Sequence, residues 1–170
     1  MENLNKKKHY YLVIDTETAN GLDEPLVYDF GFLIIDKEGN IYHEANYIIY
    51  DIYAKEKELM KTAYYAEKIP QYEIDLKNNN LKMLRFSSLK AIITKILTEY
   101  NIKKVWAFNA LFDIKALNNT MKFTSKGKYK YFFPYGTSVG CIWATACQTI
   151  CLQRKYFNLL RNTIYLQQEE

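Results

Sequence analysis

The stretch Tyr10-Tyr-Leu-Val-Ile-Asp-Thr-Glu-Thr18 constrains the chain more than any other. It reads as an apolar β-strand that runs directly into two carboxylates one residue apart. Side chains alternate along a strand, so Asp15 and Glu17 point the same way and offer converging oxygens at the strand's carboxyl end. Like charges held that close repel one another unless a cation lies between them. Hard oxygen donors suit Mg²⁺ or Mn²⁺ far better than zinc. Asp15 and Glu17 are therefore the first candidate catalytic and metal-ligating pair.

The residues that follow predict an α/β sheet. Asn20-Gly21 and Pro25 break the chain after the first strand, and Leu26 to Asp36 reads as a second strand. Lys37-Glu-Gly-Asn40 turns it into a third, Ile41 to Tyr50, so strands one to three form an antiparallel meander. From Ala54 to Lys68 the apolar spacing of Leu59, Met60, Ala63 and Tyr64 predicts a helix that Pro70 ends. Gln71 to Arg85 reads as a polar loop or a weak element. Ser87 caps the clearest helix, in which Leu89, Ile92, Ile93, Ile96, Leu97 and Tyr100 share one face. Lys103 to Phe108 is a short buried strand, and Asn109 caps the helix Asn109-Ala-Leu-Phe-Asp-Ile-Lys-Ala-Leu117, with Phe112, Ala116 and Leu117 inward and Asp113 one turn in. Beyond it come a basic loop Lys122 to Lys130, a short strand Tyr131 to Phe133, a loop Pro134 to Gly140, and a helix from Cys141 that continues weakly through Phe157, Leu159 and Leu160. Active sites of such sheets gather at the carboxyl ends of the strands, where both Asp15-Glu17 and Asn109-Asp113 fall.

The length of 170 residues suits a single domain, 1–170, with its core in 10–160 and a basic tail in 1–9. The net charge of +4, part of it in Lys6-Lys7-Lys8, permits contact with nucleic acid without requiring it. No apolar run approaches the roughly 18 residues that cross a membrane, so no membrane partner and a cytoplasmic location are expected. Cys141, Cys147 and Cys151 contain no CxxC pair and are followed by no histidine, so buried reduced thiols are expected rather than a zinc site.

Val-Ile-Asp-Thr-Glu-Thr, residues 13–18, and Asn-Ala-Leu-Phe-Asp, residues 109–113, together resemble the first two motifs of the DEDD-type, or DnaQ-like, 3′ to 5′ exonuclease family. The resemblance covers Tyr10 to Leu117. It implies a ribonuclease H-like fold: a mixed sheet, antiparallel in its first three strands and parallel to the later ones, flanked by helices. It also implies hydrolysis of phosphodiester bonds in DNA or RNA by two divalent ions about 4 Å apart that clamp the attacking and leaving oxygens. On this resemblance Asp15 bridges two Mg²⁺ or Mn²⁺ ions, Glu17 binds one, and Asp113 supports the second. Thr16 and Thr18 contact the terminal nucleotide of a single-stranded 3′ end, and Asn109 and Phe112 position the strand. Read without the resemblance, the threonines serve β-structure, Phe112 serves the core and Asn109 is a helix cap.

The family carries a third motif, a His or Tyr ahead of a final Asp on a late helix. After Asp113 this chain contains neither Asp nor His, and its later acids are Glu169 and Glu170. Tyr165 and Glu169 imitate the Tyr-to-Asp spacing with Glu in place of Asp, at a terminus where chains fray. Two expectations follow. The chain is a metal-dependent exonuclease, truncated or weakly active and with a fold incomplete at its C-terminus, or it is a non-catalytic module that binds nucleic acid or protein. A protein partner or a second copy is left open.

Overall fold

The computed structural model describes residues 8–150. Six strands form one mixed sheet in the order β4-β3-β2-β1-β5-β6. Strands β1 (Tyr10–Ala19), β2 (Leu26–Asp36) and β3 (Ile41–Ile49) form the antiparallel meander. Strand β4 (Lys82–Leu84) adds to β3 in parallel, β5 (Lys104–Ala107) adds to β1 in parallel, and β6 (Ser138–Cys141) continues beyond β5. This is the mixed α/β arrangement expected of the ribonuclease H-like fold.

Local chemistry sets each reversal. Asn20 and Gly21 both take positive φ between β1 and β2, where the small or absent side chain tolerates it. Between β2 and β3, the Asp36 carboxylate accepts the backbone N–H groups of Glu38 and Asn40 at 3.0 Å, an Asx-type turn. Alternation then divides the sheet into two faces. Leu12, Ile14, Phe30, Phe32 and Ile34 are buried on one, over which helix α5 (Ala110–Thr124) packs through Ala116, Leu117 and Thr120. Helix α4 (Phe86–Glu99) lies beside α5 and buries Leu89, Ile93, Ile96 and Leu97. The opposite face carries half-buried Val13, Leu33 and Ile35, together with Asp15 and Glu17. At the edge, Gly140 of β6 sits against the Trp106 ring of β5, leaving no room for a Cβ.

Several elements depart from their local pattern. The span expected to be one helix over Ala54 to Lys68 follows a short helix, α1 (Tyr50–Tyr53), and holds two short turns: α2 (Lys57–Met60) and a 3₁₀ turn, Ala66–Lys68. Met60 is buried but Tyr64 is 68% exposed, so the apolar spacing follows no single helical face. Pro70 starts a helix rather than ending one, because its missing N–H costs nothing in the first turn of α3 (Ile69–Lys77). Gln71 to Arg85, expected as a loop or a weak element, therefore holds most of α3 and all of β4. Helix α4 begins at Phe86 without a side-chain cap of its own. Asp51 of α1 supplies one, its Oδ2 accepting the Phe86 N–H at 2.8 Å. The short strand expected at Tyr131 to Phe133 lies instead at Ser138–Cys141, while Phe132 enters the core between Phe30 and Phe86.

The helix expected from Cys141 is present over residues 142–150, but Ile142, Trp143 and Ile150 on it are exposed. Cys141 and Cys147 are free and half-buried rather than buried. Lys6, Lys7, Cys151, the continuation through Phe157, Leu159 and Leu160, and Tyr165 with Glu169 lie outside the described residues.

Candidate active site

Strand β1 ends where the sheet opens, and a β-bulge at Glu17/Thr18 breaks its register with β2. Bulges re-aim side chains, and this one lies at the acidic pair. A cleft of about 520 Å³ opens there, lined by Asp15, Thr16, Glu17, Thr18, Leu22, Tyr64, Tyr65, Lys68, Asn109 and Phe112. Six of the seven residues singled out from sequence thus meet in one cleft; Asp113 does not line it.

Asp113 lies on the other side of β1. Alternation points Thr16 away from Asp15 and Glu17, toward α5, and its Oγ1 donates to Asp113 Oδ1 at 2.8 Å. Burial pushes the Asp113 carboxyl up to about 6; the Thr16 hydrogen bond opposes this and the nearby Asp15 charge adds to it. Asp15 is exposed to the cleft. Glu17 is mostly covered, and its Oε1 receives the Lys68 ammonium at 2.6 Å. Burial raises the Glu17 pKa and Lys68 pulls it back, with Asp15 and Asp29 adding repulsion.

Thr16 and Thr18 are buried, and the Thr16 hydroxyl is committed to Asp113, so a ligand here meets main chain more than hydroxyl. Asn109 stands at the N-cap of α5 but makes no side-chain capping bond, which leaves its exposed amide free to face the cleft. Phe112 is half-buried at the cleft wall.

The far wall was not legible in the sequence. Residues 62–65 run along the end of β1, with the Tyr64 N–H donating to Thr18 O at 3.0 Å and the Asn20 N–H to Thr62 Oγ1 at 2.8 Å. This brings Tyr64 and Tyr65, edge to face at 4.9 Å, and Lys68 into the site. Asp29 was missed as well. It stands directly opposite Glu17 in the β1–β2 register, is buried, and accepts the Tyr72 hydroxyl at 2.6 Å.

The donor set suits Mg²⁺ or Mn²⁺ in its chemistry, being all carboxylate oxygen, and Asp15 and Glu17 line the same cleft. It does not fit as a three-carboxylate cage. Asp113 is bonded to Thr16 and Glu17 to Lys68, and among the described residues no three His, Cys, Asp or Glu side chains form a group that could hold an ion. Among the same residues no helix is long and apolar enough to cross a membrane. Compared with models of known protein families and with curated proteins, the chain matches none.

Proposed function

We propose that the chain is a cytoplasmic 3′ to 5′ exonuclease that hydrolyses phosphodiester bonds of single-stranded DNA or RNA and depends on Mg²⁺ or Mn²⁺. The observation that carries this reading is the convergence of Asp15, Glu17, Asn109 and Phe112, from segments far apart in the chain, on one cleft at the carboxyl end of β1. A divalent ion, when bound, would supply positive charge that polarises the scissile phosphodiester, and Asp15 and Glu17 are the side chains that would hold it. The remaining groups bind and orient the strand. Tyr64 and Tyr65 present exposed aromatic side chains, and stacking of bases on such rings is tolerant of sequence. The Asn109 amide is a hydrogen-bond donor and acceptor at the mouth, and Phe112 closes the wall beneath it.

End-labelled single-stranded DNA and RNA incubated with and without Mg²⁺ or Mn²⁺ test the reading. The expected outcome is metal-dependent shortening from the 3′ end, abolished by Asp15→Ala. Absence of shortening, or equal shortening by the variant, rules out nuclease activity of this cleft. A second reading, a module that binds nucleic acid without cutting it, is favoured by the Lys68–Glu17 pair and the ungrouped acids. It predicts salt-sensitive binding with no turnover in the same assay.

A further inference from the structure

Lys68 and Tyr72 lie four residues apart, one at the end of the 3₁₀ turn and the other on α3. Residues at that spacing share a helical face. Both reach down onto the sheet, and their targets, Glu17 and Asp29, are cross-strand partners on β1 and β2. Lys68 Nζ meets Glu17 Oε1 at 2.6 Å while Tyr72 Oη donates to Asp29 Oδ2 at 2.6 Å. The segment is thus fastened to the acidic end of the sheet at two adjacent points.

The second carboxylate leaves charge unanswered. Asp29 is 6% exposed, and its Oδ1 has no hydrogen-bond partner. The Asn46 amide lies near enough to ease its charge, though without forming a bond of proper geometry. A neutral tyrosine hydroxyl supplies no positive charge. Compensation for Glu17, and in part for Asp29, therefore falls on one ammonium group. That group is held from its other side by the Tyr65 ring, whose centroid is 4.5 Å away.

Two cations do not share one carboxylate oxygen without repelling each other. We propose that Lys68 is the built-in counter-cation of this site and that a divalent ion must compete with it for Glu17, whose Oε1 the ammonium already holds. The inference rests on the reading of Glu17 as a metal ligand. It adds that the protein's own side chain competes with metal for Glu17, so that Lys68 lowers the ion's apparent affinity. The apparent affinity falls in proportion to the fraction of molecules in which the pair is open.

Mn²⁺ titration of the metal-free full chain, read from the electron paramagnetic resonance signal of free Mn²⁺, tests this without reference to activity. Lys68→Met should bind Mn²⁺ about tenfold more tightly than wild type. Lys68→Arg should stay within twofold of wild type, and Glu17→Gln in the Lys68→Met background should erase the gain. Circular dichroism verifies folding, and Lys68→Gln replaces the Met variant should that one not fold. Equal Mn²⁺ binding by wild type and Lys68→Met overturns the role of Lys68 while leaving the exonuclease reading intact. Absence of Mn²⁺ binding in every variant overturns both.

Discussion

Asp113 is the carboxylate whose ionisation the fold opposes most visibly. Its folded pKa of about 6 lies above the ordinary value of 3.8, because burial penalises the charged form. Between about pH 4 and pH 6 the folded chain keeps a proton that the unfolded chain has released, so stability falls as pH rises through that window. Above it both states are ionised and the full penalty remains. Asp113→Asn keeps an oxygen for the Thr16 hydroxyl and removes the charge. In EDTA it should flatten the pH profile and raise stability at pH 8 by on the order of 1 kcal/mol, after part of the shift is discounted for screening. Denaturant midpoints at pH 5 and pH 8 measure this, and a wild-type profile that is already flat contradicts it. Asp15, Glu17 and Asp113 were legible as candidates because their motifs are local. That Asp113 turns to Thr16 across the strand was not, and neither was Lys68, since a contact between residues 51 apart leaves no mark in a local pattern.

At the scale of elements, burial on one face of a regular period was readable and improvised pieces were not. The meander β1–β3 and helix α4 each repeat their apolar positions long enough to declare a period, 2.0 or 3.6. The span 54–85 breaks into pieces of three to nine residues whose apolar side chains answer to different neighbours. Strand β6 is four residues long, partly exposed, and contains a glycine that ordinarily argues against a strand. That glycine is there because of its neighbour. A methyl group at Gly140 would overlap Cε3, Cδ2 and Cζ3 of Trp106, whose ring also carries the Lys104 ammonium 4.1 Å from its centroid. Gly140→Ala should therefore destabilise the fold by about 1–3 kcal/mol, the range for overpacking. Chemical denaturation with an unchanged m-value is the check. A loss below roughly 0.5 kcal/mol, the level of an ordinary surface substitution, would show that the ring moves aside freely.

Across the whole molecule the basic residues are not where the sequence drew the eye. Lys8 lies at the start of β1, the end opposite the cleft, where it is bound to Asp36 at 3.2 Å and to the Tyr42 hydroxyl. The run Lys122 to Lys130 begins near the C-terminus of α5, whereas the site sits at its N-terminus, a separation of about 20 Å along the axis. Both segments lie beyond a Debye length of roughly 8 Å at physiological salt, so their pull on a phosphate in the cleft is largely screened. Lys115 is another cation that adjoins the cleft, its Nζ donating to the carbonyl of the lining residue Leu22 at 3.3 Å. Binding of a single-stranded oligonucleotide should accordingly depend on Lys115 and not on the longer run. Lys115→Ala should weaken binding and reduce the slope of log K against log salt by about 0.7, the contribution of one phosphate contact on a single strand. Lys128→Ala with Lys130→Ala should leave both quantities unchanged. Fluorescence anisotropy in EDTA at several salt concentrations reads affinity and slope together. The reverse pattern, with the loop lysines carrying the slope, would move the nucleic-acid contact to the far end of α5 and away from Asp15 and Glu17.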